Sequence, residues 1–181
     1  LYGGTITNVF GGSNVKGNIN GTITVNVLDV EDANCPLYIT NIYGGSNLTS
    51  YTPNDAAIAS PIVNVVHAKY GISGNVYGGS KGEEGIETNV VANPLVNIGY
   101  DATSMDAYIP SEYITDYPAL LSSPRAIISG NVFGGGDAAR VVGNTAIYLR
   151  NSAKVFRNVY GGGNMGEVTG NTQVIVNGEN E

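Results

Sequence analysis

An Asn-(Val/Ile)-(Tyr/Phe)-Gly-Gly signature occurs five times, at residues 8–12, 41–45, 75–79, 131–135 and 158–162. A signature spread through nearly the whole chain describes architecture before it describes chemistry. After each copy comes an alternating apolar stretch, as in Ile23-Thr24-Val25-Asn26-Val27 and Thr145-Ala146-Ile147-Tyr148-Leu149. Period-two alternation predicts strands, and the Gly-Gly, Gly-Asn and Asn-Gly pairs between them predict turns. The shortest spacing between signatures, Asn131 to Asn158, defines a unit of 27 residues. Longer spacings read as insertions at one of the two connections. Two or three short strands in such a unit suit one coil of a parallel β-solenoid. The unit is too short for a propeller blade, and no segment has the sustained periodicity of an α-solenoid.

Composition agrees with a folded chain. Gly is 26 of 181 residues and charged residues are only 13 %, while 42 % are hydrophobic, enough apolar surface to form a core. The fold expectation is therefore all-β: a right-handed parallel β-helix of about five coils, forming one domain over residues 1–181. Insertions interrupt it at about 48–60 and 99–124. At ordinary strand spacing the column would be about 25 Å long. The opening Leu1-Tyr2-Gly3-Gly4 reads like the tail of a preceding coil, and neither end looks like a cap. More coils or another domain are expected on both sides in a longer parent protein.

Charge removes one class of partner. A formal net charge of −7, with only eight scattered Lys and Arg, argues against nucleic acid. Cys35 is the single cysteine, without a CxxC context for metal or redox work. No stretch approaches the roughly 20 apolar residues of a membrane span.

The Asn-Val-Tyr-Gly-Gly-(Ser/Gly)-Asn pattern, followed by Gly-Asn-Thr-x-Val-x-Val, resembles the repeat of large adhesin-like bacterial cell-surface proteins. The likeness covers most of residues 3–177 and fails across 99–124. It implies a right-handed β-helix in an extracellular, cell-surface setting, and it transfers no catalytic residues. The function expected on this footing is a non-catalytic cell-surface repeat module for structural display or adhesion. The alternatives are a carbohydrate-binding β-helix module and a polysaccharide lyase or hydrolase of β-helix type. Partners would be glycans, host or cell-surface proteins, and further repeats or domains of the same chain.

The signature has a physical reading of its own. Paired glycines, followed by Ser or Gly and then Asn, Lys or Asp, suggest a tight corner that uses positive φ. The leading Asn residues should stack and hydrogen-bond along the stack. Phe10, Tyr43, Tyr77, Phe133 and Tyr160 should form an aromatic ladder. Phe alternates with Tyr, so no hydroxyl is required at every level, which favours packing over recognition. Burying Arg157 on the alternate face would be costly, which also turns the rings inward.

Catalytic and metal motifs are sparse. Gly134-Gly135-Gly136-Asp137 partly matches a calcium-binding nonapeptide, but Asp137 occurs in one copy of five. Glu83, Glu84, Glu87 and Asp137 are the oxygen donors such an ion would use. No Gly-Lys-Ser/Thr follows the glycines, so they form no phosphate loop. His67 lacks a Ser, Cys or Asp at diagnostic spacing and reads as a surface residue at a strand end. Arg140, Arg150 and Arg157 read as solvated side chains. No enzyme activity, catalytic residue, cofactor or metal is expected.

The insertion remains as the candidate site. Residues 99–118 carry Tyr100, Asp101, Asp106, Tyr108, Glu112, Tyr113, Asp116 and Tyr117, with no Lys or Arg. Long insertions on a rigid scaffold commonly bind ligands. Tyrosine gives stiff contact area, and the acids could orient sugar hydroxyls or a basic partner. The structural alternative is a loop that shields the scaffold, with a short helix around 117–121.

Overall fold

The computed structural model describes residues 4–177. Among these residues fourteen strands and three short helices follow one another. The strands are β1 (Gly4–Phe10), β2 (Ile23–Leu28), β3 (Leu37–Tyr43), β4 (Pro61–His67), β5 (Val76–Tyr77), β6 (Asn89–Val90) and β7 (Leu95–Ile98). Helices α1 (Ala102–Met105), α2 (Ser111–Asp116) and α3 (Pro118–Ser122) come next, with a 3-10 turn at Asp106–Tyr108. Then follow β8 (Ala126–Ile128), β9 (Val132–Phe133), β10 (Arg140–Val141), β11 (Thr145–Leu149), β12 (Ala153–Val155), β13 (Val159–Tyr160) and β14 (Thr172–Val176).

Two five-stranded parallel sheets dominate. The first runs β1-β3-β5-β9-β13 and carries the signatures in register: Val9, Ile42, Val76, Val132 and Val159 are lateral neighbours. The second runs β2-β4-β7-β11-β14 and carries the alternating stretches. Alternation directs Val25, Val27, Val63, Val65, Val96, Ile98 and Ile147 of the second sheet into one core with Ile42, Val76 and Val132 of the first. β-branched side chains suit these positions because they pack well on a pleated surface.

This topology corrects the expected all-β, right-handed parallel β-helix of about five coils. The arrangement is α/β: two large sheets, the two-stranded pairs β6–β10 and β8–β12, and a helical segment. The triangular stack implied by the adhesin-like resemblance is not built. Its third side reduces to the two-residue pair β6–β10 and isolated bridges such as Tyr51–Val90 and Val141–Val168. Connections of very unequal length are one reason, since they prevent equal turns. The helical segment is the other. Leu28 and Val66, which face away from the main core, form a second apolar cluster with Met105, Ile109, Tyr113 and Leu121. The expectation for Leu1-Tyr2-Gly3 lies outside the described residues.

The paired glycines serve a purpose other than positive φ. No signature glycine lies in the left-handed region. A Cβ on Gly44 would instead sit 2.2 Å from the Gly78 carbonyl oxygen, and one on Gly45 2.3 Å from Ser80 Oγ. Glycine is required there by the close approach of neighbouring backbones.

Candidate functional site

The asparagine ladder forms as the stacking argument requires. Asn41 Nδ2 donates to Asn8 Oδ1 at 3.0 Å, the Asn75 and Asn131 backbone N–H groups donate to the preceding amide oxygens at 2.9 and 2.8 Å, and Asn158 N–H donates to Asn131 Oδ1 at 3.2 Å. These amides are therefore largely used internally.

The aromatic ladder is continuous, with neighbouring ring centroids 4.8–5.1 Å apart and nearly parallel planes. Its rings lie on the face of the first sheet opposite Ile42, Val76 and Val132, as alternation demands, yet Tyr43, Tyr77 and Phe133 are buried in a cluster of their own. Burial raises the Tyr43 phenol well above its usual range. It raises Tyr77 to about 12, with nearby Asp137 adding to the shift. Tyr160, at the edge of the sheet, is exposed. The inward expectation is thus met in burial, and the direction is corrected: the rings cover one another rather than joining the main core.

Tyr113 is buried, and its hydroxyl donates to the Asp29 carbonyl at 2.9 Å. Tyr117 packs against it with centroids 5.1 Å apart. The Tyr100 hydroxyl is bonded to the Asp106 carboxylate; burial first, and then that contact, raises the phenol to about 12. Asp101 caps α1 by accepting from Thr103 N–H (3.0 Å), accepts from Ser104 Oγ (2.9 Å) and pairs with Arg150 at 3.1 Å. The Ser104 bond is the main cause holding its carboxyl below the usual range. Tyr108, Glu112 and Asp116 are exposed. Tyr113 is thus part of the cluster that fastens the helices to Leu28 and Val66, and Tyr100 and Tyr117 pack against it.

Two side chains depart from their expected roles. Arg150 is only 10 % exposed: it reaches Asp101 and Asn97 Oδ1 (3.2 Å) and lies over the Tyr148 ring at 4.9 Å. Arg140 is solvated as expected, in an exposed pair with Glu167. His67 is 1 % exposed rather than on the surface. Its Nδ1 accepts from Arg125 N–H at 3.1 Å, so Nε2 carries the proton toward Glu31 Oε1 at 3.0 Å. That bond is the largest cause lowering the Glu31 carboxyl. The cluster ties the chain leaving α3 to β4, a structural task. Among the described residues no group of three His, Cys, Asp or Glu side chains is placed to hold a metal ion. Asp137 and Glu87 are engaged by Asn164 and Asn89.

A concavity that combines polar and apolar walls lies elsewhere. A groove of about 620 Å³ runs over the outer face of β7, β11 and β14, where the helical segment leaves the second sheet uncovered. Leu95, Ala146, Tyr148 and Gln173, whose side chains point away from the core, supply its floor. Asn93, Asn144 and Asn171, at the entry to successive strands, form one wall. Asn144 N–H donates to Asn93 Oδ1 and Asn171 N–H to Asn144 Oδ1, each at 2.8 Å, which fixes the row. The Asn171 and Gln173 amides and the Tyr148 hydroxyl make no hydrogen bond among the described residues. No lining side chain is charged. The Gly-Asn that precedes the opening Thr of β11 and β14 is the sequence trace of this wall, and it reads only as a turn until the register is known.

Comparison with protein-family models, curated proteins and solved structures finds no match. Neither the fold nor these comparisons support the adhesin-like resemblance. The expected cell-surface repeat module for display or adhesion, with its β-helix alternatives, is corrected accordingly: the chain builds an α/β domain.

Proposed function

We propose that the protein is a non-catalytic binding domain that takes an extended, neutral, hydroxyl-rich chain, an oligosaccharide, into the groove over β7, β11 and β14. The observation that carries this reading is an uncharged cleft pairing one aromatic ring with unengaged side-chain amides on a parallel sheet. An aromatic ring packs against the C–H face of a sugar, and an amide both donates to and accepts from vicinal hydroxyls. Strands about 4.8 Å apart repeat the Asn wall along the groove, so an extended chain can meet it more than once. The sheet and the Arg150 clamp hold Tyr148 before any ligand arrives, which reduces the ordering cost of binding. A net charge of −7 disfavours polyanions. An extracellular setting belongs to the same proposal.

Calorimetric titration with neutral oligosaccharides, alongside uronic-acid polymers, tests it. Saturable binding of the neutral chains is expected, with Tyr148→Ala at least tenfold weaker, a loss of about 1.4 kcal/mol. Gln173→Ala, an exposed change that spares the fold, should weaken binding as well. Failure of every neutral oligosaccharide to bind, or full binding by both variants, would overturn the reading.

A further inference from the structure

The edges of the two large sheets are complementary to each other. At one end stand β1 and β2; at the other stand β13 and β14. The signature glycines donate in one direction along the first sheet: Gly11 N–H to Tyr43 O, Gly44 to Tyr77, Gly78 to Phe133, and Gly134 to Tyr160, at 2.9–3.0 Å. The next glycine repeats the rule, with Gly12 N–H donating to Gly45 O, Gly45 to Gly79, Gly79 to Gly135 and Gly135 to Gly162. Gly161 and Gly162 N–H are therefore the donors left over at the far edge, and the Phe10 and Gly12 carbonyls are the acceptors left over at the near one.

The side-chain rows are polar as well, the asparagine row running opposite to the glycine N–H groups. Each later Asn of the ladder donates to the Oδ1 of its predecessor, so Asn158 ends the row as an acceptor and Asn8 begins it as a donor. Ser13 N–H donates to Ser46 Oγ and Ser46 N–H to Ser80 Oγ, at 3.1 and 2.9 Å. In both steps that serine lies against the preceding glycine, where a Cβ would come within 2.5 Å of Oγ at Gly12 and 2.3 Å at Gly45. Gly162 has the same place in its signature and nothing within 4 Å of a Cβ. The outer face of Tyr160 is likewise open, as are the large apolar side chains Phe156, Met165, Val174 and Val176.

We infer that the β13–β14 edge is a docking surface for the β1–β2 edge of a second copy of this chain. The incoming Ser13 hydroxyl fits over Gly162 and accepts from Gly163 N–H. Asn8 donates to Asn158, Phe10 stacks on Tyr160, and Ile23 comes beside Thr172. All strands keep the same direction, so the contact is head-to-tail and leaves a fresh edge at each end. Such heterologous contacts do not close, and they grow into open filaments.

Sedimentation velocity over a concentration series, with negative-stain microscopy of the upper range, tests this on the full chain. A progressive series of sizes and unbranched filaments is expected. Two variants target the contact without touching internal bonds. Gly162→Leu fills the empty space over the glycine, and Asn8→Asp keeps the acceptor used by Asn41 while replacing the outward donor with an acceptor that faces Asn158 Oδ1. Each should remain monomeric where the native chain assembles, with unchanged far-ultraviolet circular dichroism. A native chain that stays monomeric at every concentration overturns the inference, as does assembly that both variants retain.

Discussion

Replacing Gly44 by Ala tests why the signature ends in two glycines. The added Cβ would stand 2.2 Å from the Gly78 carbonyl oxygen and 3.0 Å from Val63 Cγ2. The first contact is with backbone, so no rotamer relieves it, and β3 must move from β5 by about 1 Å to reach an ordinary distance. That movement stretches the bonds from Gly44 N–H to Tyr77 O (2.9 Å) and from Gly45 N–H to Gly79 O (3.1 Å) beyond useful range. Losing two backbone bonds costs about 2 kcal/mol. The loosened packing of Ile42 and Tyr43 against the next strand adds roughly 1 kcal/mol. For a chain of this size a loss of about 3 kcal/mol lowers Tm by roughly 6–12 °C. Thermal and urea unfolding of Gly44→Ala beside Gly162→Ala is the assay. The second substitution enters open space, and its stability should stay within about 0.5 kcal/mol of the native chain. If Gly44→Ala also stays within that margin, close backbone approach is not what selects glycine.

Further expectations concern the helical segment and pH. Tyr113→Phe removes a buried hydroxyl that donates to Asp29 O, and urea unfolding should show a loss of about 1 kcal/mol or more; an unchanged midpoint would mean the contact holds nothing. Asp101 and Glu31 have lowered pKa values, so the stability they contribute is present above the ordinary carboxylate range and is lost as pH falls through their depressed values. Acid titration of Asp101→Asn should therefore show a shallower decline than the native chain. Tyr77 and Tyr100 have raised values of about 12 against 10.0, so their contribution is full below pH 10 and lost as pH rises through about 12. Alkaline unfolding monitored by phenolate absorbance should show their ionisation delayed until the fold opens, and a simple titration at pH 10 would contradict this.

Much of the strand layout was legible in the sequence because the side-chain period of a strand is strict. The alternating stretches became β2, β4, β7, β11 and β14, and the signatures aligned side by side in one sheet. The spacing of the signatures did not reveal how the strands would be grouped, since connection lengths say little about which sides of a structure carry full sheets. Residues 102–122 were hard to read because α1, α2 and α3 are four to six residues long, too short for a helical period to register. Tyr113 read as part of a binding surface in sequence because only the register with Leu28 and Val66 shows what it covers. His67 was misread for a related reason: its partners Glu31 and Arg125 are distant in sequence and meet it only through strand pairing. The groove was least visible of all. Tyr148 stands in an ordinary alternating strand, and its outward direction matters only because the helices stop short of it.

The most direct measurement is a nuclear magnetic resonance titration of the labelled chain with a neutral oligosaccharide, following side-chain amides. The account predicts that Asn144, Asn171 and Gln173 shift together with the Tyr148 ring, while Tyr108 and Glu112 on the helical segment stay unmoved. Shifts confined to the helical segment, or none at all, would contradict it.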